Sequence, residues 1–374
     1  MIWPRLTNIL KSPVRLSVGC LLSCSSIGLT QPLGKAELTA VDTAIHAEME
    51  KQQAVGVALG IIRGGQIVHL KGYGLADRER NQPVTTNTMF RWASISKSVT
   101  AVAALQLVAA GKLDLDADVR KYVPEFPDKG APVTIDQLLR HQGGIVHYTN
   151  GKIIRSKRLY HVPNPYQHVS LALDDFRESP LVNRPGEQYS YTTRGYMLLS
   201  TAVERAGNER FIRQVNRRIG QPLGMTSLQP DYQWKAIQHR ATGYLRRQGK
   251  VVRSTDTDVS WKLGGGGFIS NIGDLARFAK GLINRQLVDA ESEKQMWTLK
   301  PPANGKPTKY ALGFSVEGEG RNLKVSHSGS QEKAKTRMVI YPRRRLGLVV
   351  MSNSRHVDPG DFTTAAARAL QAAR

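Results

Sequence analysis

Apolar positions near the start of the chain follow helical spacing and then change to strand-like runs. Apolar residues recur every three or four positions over residues 36–53, which predicts an amphipathic helix. Residues 55–63 and 67–73 flank a Gly-Gly-Gln turn and predict a β-hairpin. Residues 94–110 are apolar on most sides of a helix, so we expect this helix to be buried and to end at Gly111.

The rest of the chain falls into two parts. Residues 112–260 contain short helical patterns separated by proline-containing loops. After a run of four glycines, strand patterns return. The helices predicted in both parts are 134–140, 194–206, 209–219, 271–283 and 361–373, and the strands are 311–317, 323–327, 336–341 and 346–352.

These elements predict an α/β (α+β) fold in which both ends of the chain build one antiparallel sheet flanked by helices. There is no parallel βαβ series and no Gly-x-Gly-x-x-Gly motif, which argues against a Rossmann fold. We expect residues 36–111 and 261–374 to form the sheet lobe and residues 112–260 to form an inserted all-α lobe. Together they would make one domain.

Residues 1–28 have the layout of a secretory signal peptide. Three basic residues precede a short apolar run, and small residues follow, with a cleavage site near Gly28. The prediction is a cleaved leader and an exported, periplasmic or secreted protein. The alternatives are a mitochondrial transit peptide, an ordinary N-terminal helix, and a lipid anchor on Cys20 or Cys24, the two cysteines of the chain.

The chain carries a formal net charge of +23, which favours attraction to anionic surfaces such as cell-wall polymers or lipid headgroups. The basic residues are dispersed, however, and no nucleic-acid-binding motif accompanies them. We therefore expect no specific nucleic-acid partner, and a solvated basic surface is the simpler interpretation.

The first candidate for chemistry is Ser94 with Lys97, in the pattern Ser-x-x-Lys. If Ser94 opens the predicted helix, Lys97 lies one turn later on the same face. A serine hydroxyl needs a nearby base, and a lysine amine becomes one when burial and positive potential lower its pKa. The alternative is a capping serine beside an exposed lysine.

Two further candidates are Tyr191, followed by Thr193, and His327, followed by Gly329 and Ser330. A tyrosine beside the nucleophile can relay a proton, and a histidine at a strand end can shuttle protons or bind substrate. From these residues alone, a core tyrosine and an ordinary strand end are the simpler interpretations.

Tyr189 and Tyr196 compete with Tyr191 for the role of proton relay. Metal chemistry has little support, because the nine histidines are scattered and no His-Glu-x-x-His motif exists. We expect no cofactor, and we interpret His141 and His147 as structural or site-rim residues.

Taken together, these motifs resemble the serine β-lactamase and penicillin-binding-protein superfamily. Their order is Ser-x-x-Lys, Tyr-x-Thr and His-Ser-Gly, and residues 138–145 (LLRHQGGI) and 264–274 (GGGGFISNIGD) match two further family segments. The chain is similar to the branch with class C β-lactamases, D-alanyl-D-alanine carboxypeptidases, and mitochondrial serine β-lactamase-like proteins with their bacterial relatives. The resemblance covers residues 36–360.

The resemblance implies roles for individual residues. Ser94 would form an acyl-enzyme, and Lys97 and Tyr191 would exchange protons with Ser94 and with the leaving group. The backbone N–H groups of Ser94 and Ser330 would form the oxyanion hole. His327 stands where many relatives have the lysine of Lys-Thr-Gly.

Two departures from the family pattern shift the expected activity. Thr193 replaces the usual asparagine, and His327 replaces a permanently charged lysine. We therefore expect a peptidase, amidase or esterase acting on a peptide- or ester-like small substrate. The alternatives are a weak β-lactamase, a non-catalytic or self-assembling penicillin-binding-like protein (a homo-oligomer), and a binder of anionic polymers.

Overall fold

The computed structural model describes residues 32–156 and 168–373. The helices are α1 (Lys35–Gln52), α2 (Ser96–Ala109), α3 (Ile135–Leu139), α4 (Thr193–Ala206), α5 (Phe211–Val215), α6 (Leu263–Gly266), α7 (Ile272–Ile283), α8 (Ala290–Trp297) and α9 (Pro359–Ala372). The strands are β1 (Gly56–Arg63), β2 (Gln66–Asp77), β3 (Gln82–Pro83), β4 (Phe90–Arg91), β5 (Gln229–Pro230), β6 (Tyr244–Arg247), β7 (Lys250–Arg253), β8 (Phe268–Ser270), β9 (Ser315–Glu317), β10 (Lys324–Gln331), β11 (Ala334–Tyr341) and β12 (Leu346–Ser352).

The main sheet joins the two ends of the chain. Its seven strands run in the order β3-β2-β1-β12-β11-β10-β9, and each neighbouring pair is antiparallel. The central pairing of β1 with β12 places Val57 opposite Ser352. A short sheet, β4-β8-β5, and the hairpin β6-β7 complete the strands. The predicted antiparallel α/β architecture is confirmed.

Each face of the main sheet is covered by helices, because apolar side chains project from both. On one face α1 packs against α9, and α9 lies over β11 and β12, with Val41, Ile45 and Phe362 fully buried. On the other face α7 packs against β1 and β12. Removing this apolar surface from water supplies most of the driving force that holds the layers together.

Helix α2 lies in the larger of the two hydrophobic clusters, with nearly every residue buried. It contacts α4, α5, α6 and α8, so its N-terminus is held between the sheet and the helical part of the chain. Lys97 and Thr100 are buried polar residues on this helix and need internal hydrogen-bond partners.

Most predicted elements are present, with differences at their ends. The α-helix begins at Ser96 instead of Ser94, because Ser94 lies in a 3₁₀ turn, Ala93–Ile95, that leads into it. The strand predicted over residues 311–317 is shortened to β9, and the hairpin β6-β7 and helix α8 were not predicted.

The two-lobe boundaries stay a prediction. The predicted leader, residues 1–28, with Cys20 and Cys24, lies outside the described residues. Among the described residues, no helix is long and apolar enough to span a bilayer. Within the same ranges, no cluster of three histidine, cysteine or carboxylate side chains could hold a metal ion.

Candidate active site

The turn that carries Ser94 is fixed from several directions. Ala93, immediately before it, has a φ of 49°, a left-handed conformation that costs a non-glycine residue about 1 kcal/mol and must be held by its surroundings. Trp92 provides this support. Its backbone N–H donates to the carbonyl of Phe268 (2.8 Å), its indole N–H donates to Ser270 (2.7 Å), and its carbonyl accepts from the hydroxyl of Thr336 (2.9 Å).

Lys97 lies beside Ser94, with its side chain fully buried. Its Nζ lies 3.1 Å from Ser94 Oγ, 3.2 Å from Thr193 Oγ1 and 2.6 Å from the carbonyl oxygen of Gly265. Burial lowers the pKa of Lys97 well below its ordinary value, and the positive charge of Lys262 lowers it further. In its neutral form, which this shift favours, the amine has a free lone pair and can accept the proton of Ser94.

The four-glycine segment explains how Lys97 is held. A side chain on Gly264 would collide with Ser200, and one on Gly265 would lie 2.7 Å from Thr193. Glycines therefore let this segment approach α2 and α4 closely enough for the carbonyl of Gly265 to meet Lys97 and that of Gly264 to meet Thr100 (2.7 Å).

Tyr191 lies beside the same amine. Lys97 Nζ is 4.8 Å from the centroid of the Tyr191 ring. Burial raises the pKa of Tyr191, and a hydrogen bond with Ser94 acts in the opposite direction. The phenol is therefore protonated and is a proton donor within reach of the nucleophile. Tyr196, one of its competitors, instead donates to the carbonyl of Leu139 (2.7 Å).

The segment 138–145 holds the loop that carries Tyr191. The imidazole Nδ1 of His141 accepts the N–H of Thr192 (3.2 Å), and the carbonyl of His141 accepts the N–H of Ser190 (2.7 Å). The His141 ring also packs against Tyr191, with centroids 4.2 Å apart. His141 therefore has a structural role: it holds the loop that carries Tyr191.

His327 lies on β10 and is buried. Its Nδ1 is 2.8 Å from the carbonyl oxygen of Ser328, which can only accept, so the ring proton is on Nδ1. Its Nε2 then accepts from the hydroxyl of Tyr310 at 2.9 Å. Burial lowers the pKa of His327 to about 3, so the ring is neutral at physiological pH.

Strand β10 approaches the Ser94 turn closely because position 329 is glycine. A Cβ on Gly329 would overlap Thr336 Oγ1 and the carbonyl of Trp92, and would lie 2.9 Å from the Cβ of Ala93. The next residue, Ser330, lines the same cavity as Ser94. This arrangement suits an oxyanion hole built from the N–H groups of Ser94 and Ser330.

These side chains surround an open cavity of about 420 Å³. Ser94, Tyr191, Thr193, His327 and Ser330 are among the residues that line it, so the structure brings the sequence-predicted residues to one place. Lys97 and Gly329 are buried next to lining residues, Lys97 in contact with Ser94 and Gly329 adjacent to Ser330, but they do not line the cavity themselves.

Two residues of the site, Tyr310 and Lys262, were not singled out from the sequence, and His147, interpreted as a structural or site-rim residue, lines the cavity with them. The Nδ1 of His147 accepts the N–H of Thr193 (3.2 Å), and burial lowers its pKa to about 4. Burial lowers the pKa of Lys262 to about 8. No sequence motif marks Tyr310 or Lys262, although Lys262 lies only two positions before the glycine segment that begins at Gly264.

Comparisons with known proteins agree with this geometry. The family model described as Beta-lactamase matches residues 41–373. The human mitochondrial serine beta-lactamase-like protein LACTB is 28% identical over 387 residues, a match that covers 80% of this chain and 71% of the relative.

Two solved structures share the fold. The octameric penicillin-binding protein homologue from Pyrococcus abyssi has a TM-score of 0.73 at 26% identity, covering 90% of this chain and 78% of that one. The D-amino acid amidase from Ochrobactrum anthropi SV3, complexed with D-phenylalanine, has a TM-score of 0.75 at 21% identity, covering 90% and 100%.

Proposed function

Because the chain belongs to the beta-lactamase family of serine hydrolases, we propose that it cleaves a peptide-like amide or an ester through an acyl-enzyme on Ser94. The observation that carries this proposal is the buried amine of Lys97, 3.1 Å from the hydroxyl oxygen of Ser94. The family and the fold are those expected from the sequence.

The acylation step follows from the contacts around Ser94. The amine of Lys97 takes the hydroxyl proton while Ser94 Oγ forms a bond to the carbonyl carbon of the substrate. The negative charge that develops on the carbonyl oxygen is stabilised by the backbone N–H groups of Ser94 and Ser330. The bond to the leaving group then breaks, and the leaving amine or alcohol receives the proton held by Lys97, either directly or through Tyr191, which gives its own proton and is reprotonated by the lysine.

Hydrolysis is completed by water. The same amine accepts a proton from the water molecule as its oxygen attacks the acyl carbon, and the proton returns to Ser94 Oγ as the ester bond breaks. Thr193 and the carbonyl of Gly265 keep Lys97 in place in both half-reactions, since both contact its nitrogen.

A peptidase, amidase or esterase fits this site better than a dedicated β-lactamase. His327 is neutral and already engaged with Tyr310, so it offers no fixed positive charge to a β-lactam carboxylate. An amidase is among the proteins that share this fold, which makes amides and esters the first substrates to test.

The test is covalent labelling followed by intact-mass measurement. A fluorophosphonate probe should add one adduct to the wild-type chain and none to Ser94→Ala. Ser96→Ala is the matched control, since Ser96 Oγ accepts only a long 3.4 Å hydrogen bond from the N–H of Phe268. Equal labelling of wild type and Ser94→Ala would refute the proposal, and so would a wild-type chain that neither labels nor hydrolyses amides, esters or β-lactams.

The second candidate function is a self-assembling protein with this fold. It draws on the octameric state of the Pyrococcus abyssi homologue. Light scattering of the purified chain would show a homo-oligomer or a monomer. If Ser94→Ala assembles like wild type and wild type does not label, a non-catalytic role is favoured over hydrolysis.

Export and surface attachment are separate proposals. Export rests on the pattern of residues 1–28, and binding to an anionic wall or membrane rests on the net charge of +23. Cell fractionation with N-terminal sequencing tests the first. Binding to anionic vesicles or wall polymer, weakened by added salt, tests the second.

A further inference from the structure

Lys262 is a buried cation in the cavity wall that lacks a counter-ion. Its side chain is 9% exposed, and its Nζ lies 5.9 Å from the ring centroid of Tyr148 and 5.7 Å from that of Trp261. Among the described residues, its ammonium makes no hydrogen bond and no ion pair. A buried ammonium is costly unless it is paired, which points to a partner that arrives with the substrate.

Among the residues that the structure describes, no carboxylate lines the cavity. Glu332 and Asp258 act on Lys262 only through space, and each has a contact of its own: Glu332 lies 3.8 Å from Arg355, and Asp258 accepts the N–H of Ser260 at 3.1 Å. The charge of Lys262 is therefore uncompensated on the side that faces the substrate space.

Lys262 lines the same cavity as Ser94, and its charge acts on Lys97. It ends the 3₁₀ turn Ser260–Lys262, and α6 follows directly. Gly265, three residues later, supplies the carbonyl that holds Lys97. A group bound by Lys262 thus lies close to an acyl chain attached to Ser94.

His147 offers a second donor on the same wall. Because its Nδ1 accepts the N–H of Thr193, its ring proton is on Nε2. His147 and Lys262 both line the cavity, so an oxygen acceptor between them would receive one neutral and one charged hydrogen bond.

The single ammonium of Lys262 lets this cavity wall balance one negative charge on a bound substrate. Burial lowers the pKa of His147 to about 4 and that of His327 to about 3, which leaves these two rings neutral near pH 7. Burial also lowers the pKa of Lys97 well below its ordinary value. A carboxylate matches one ammonium, whereas a doubly charged phosphate would leave one charge unpaired in a buried site.

We infer that Lys262, together with the Nε2–H of His147, binds a carboxylate carried by the substrate. The enzyme then prefers acidic acyl substrates to neutral ones of the same size. This inference rests on the proposed acyl-enzyme function and names the substrate class for it.

The test compares two esters that differ only in charge: p-nitrophenyl glutarate, with a free carboxylate, and p-nitrophenyl glutaramate, with an amide in its place. Wild type should favour the glutarate in kcat/KM after subtraction of spontaneous hydrolysis. In Lys262→Gln this preference should fall about tenfold or more, chiefly through KM, since a charged hydrogen bond is lost. Taking the ratio removes any effect of the variant on Lys97 that both esters share.

Two further variants sharpen the comparison. Lys112→Gln removes an exposed lysine outside the cavity and should keep the wild-type preference. Lys262→Arg keeps the charge and should retain more of the preference than Lys262→Gln. It also provides a readout if Lys262→Gln does not fold.

The outcomes separate the two proposals. If wild type labels at Ser94 and hydrolyses both esters without preferring the glutarate, the carboxylate site is refuted and the hydrolase proposal stands. An unchanged preference in Lys262→Gln refutes it as well. If wild type neither labels nor hydrolyses either ester, the hydrolase proposal fails and the substrate class fails with it.

Discussion

The hydroxyl of Tyr310 donates a 2.9 Å hydrogen bond to Nε2 of His327, so the histidine accepts on that side instead of donating. Burial raises the pKa of Tyr310 well above its ordinary value, which keeps the donor protonated. His327 in turn uses its Nδ1–H on the carbonyl of Ser328, so both ring nitrogens are occupied. In this arrangement, His327 fixes the end of β10 that carries Gly329 and Ser330.

Substituting Tyr310→Phe should test that arrangement. It leaves a buried imidazole nitrogen without its donor, at a cost of about 1–3 kcal/mol in the free energy of unfolding. We also expect kcat/KM to fall about tenfold, because the cavity wall that carries Ser330 loses a constraint. Urea unfolding and ester hydrolysis measure the two effects.

Tyr244→Phe is the matched control. The Tyr244 hydroxyl makes partly buried hydrogen bonds with Glu79 and the N–H of Arg78, but Tyr244 does not line the cavity. It should lower stability with little effect on kcat/KM. Equal losses of activity in the two variants would contradict a specific role for Tyr310.

The sequence was informative where the chemistry is local. Ser94 and Lys97 are three positions apart, and helical geometry alone brings such residues together. The helix boundary was less predictable. The left-handed φ of Ala93 and the contacts of Trp92 with β8 and β11 place Ser94 in a 3₁₀ turn, and these contacts come from distant parts of the chain.

Long-range packing explains what the sequence did not reveal. Tyr191 and His327 could be linked to Ser94 only through a family resemblance, and Tyr310 and Lys262 had no motif to mark them. The strand predicted over 311–317 is shortened because Gly313 has a φ of 82° and its carbonyl accepts from Ser98 on α2 (2.9 Å). Such contacts depend on the tertiary fold and leave no periodic pattern.

Replacing Lys97 should remove the base. Lys97→Met lacks the amine, and Lys97→Arg keeps a positive charge that cannot be lost at accessible pH. We expect both to lower kcat by about 10²–10⁴-fold, the usual contribution of a general base. Burst kinetics on a p-nitrophenyl ester would show loss of the acylation phase. An arginine variant that keeps more than a tenth of the activity would exclude Lys97 as the base.

The charge of Lys262 should also be visible in the pH dependence of acylation. After burial, it is the second cause of the low pKa of Lys97. Removing it in Lys262→Gln should raise the pKa of Lys97, so the acidic limb of kcat/KM for a neutral ester should move to higher pH. Lys112→Gln should leave the limb in place, and a shift to lower pH in Lys262→Gln would contradict this electrostatic coupling.

Stability should fall in mild acid because buried histidines are held neutral. For His327 the folded pKa is about 3, below the ordinary value of 6.5, so the unfolded chain binds more protons between these pH values. Its contribution is complete above pH 6.5 and is lost as the pH falls below it, by up to about 1.4 kcal/mol per pH unit.

Urea unfolding at pH 7, 6 and 5 measures this slope. His327→Gln should flatten it, and the exposed His239→Gln serves as a control for the loss of an imidazole. Identical slopes for wild type and His327→Gln would show that His327 is not the group responsible.

The close approach of β10 to the nucleophile turn gives a last prediction. In Gly329→Ala the new methyl group meets the Trp92 carbonyl and the Cβ of Ala93, so it must push the Ser94 turn away from Ser330. A displacement of about 1 Å at reacting groups costs about 10²-fold in rate, so kcat/KM should fall by that order. In Gly34→Ala, where a Cβ has no neighbour within 4 Å, activity should be unchanged. A Gly329→Ala protein with wild-type kcat/KM would show that the spacing between the turn and β10 does not set the geometry of the oxyanion site.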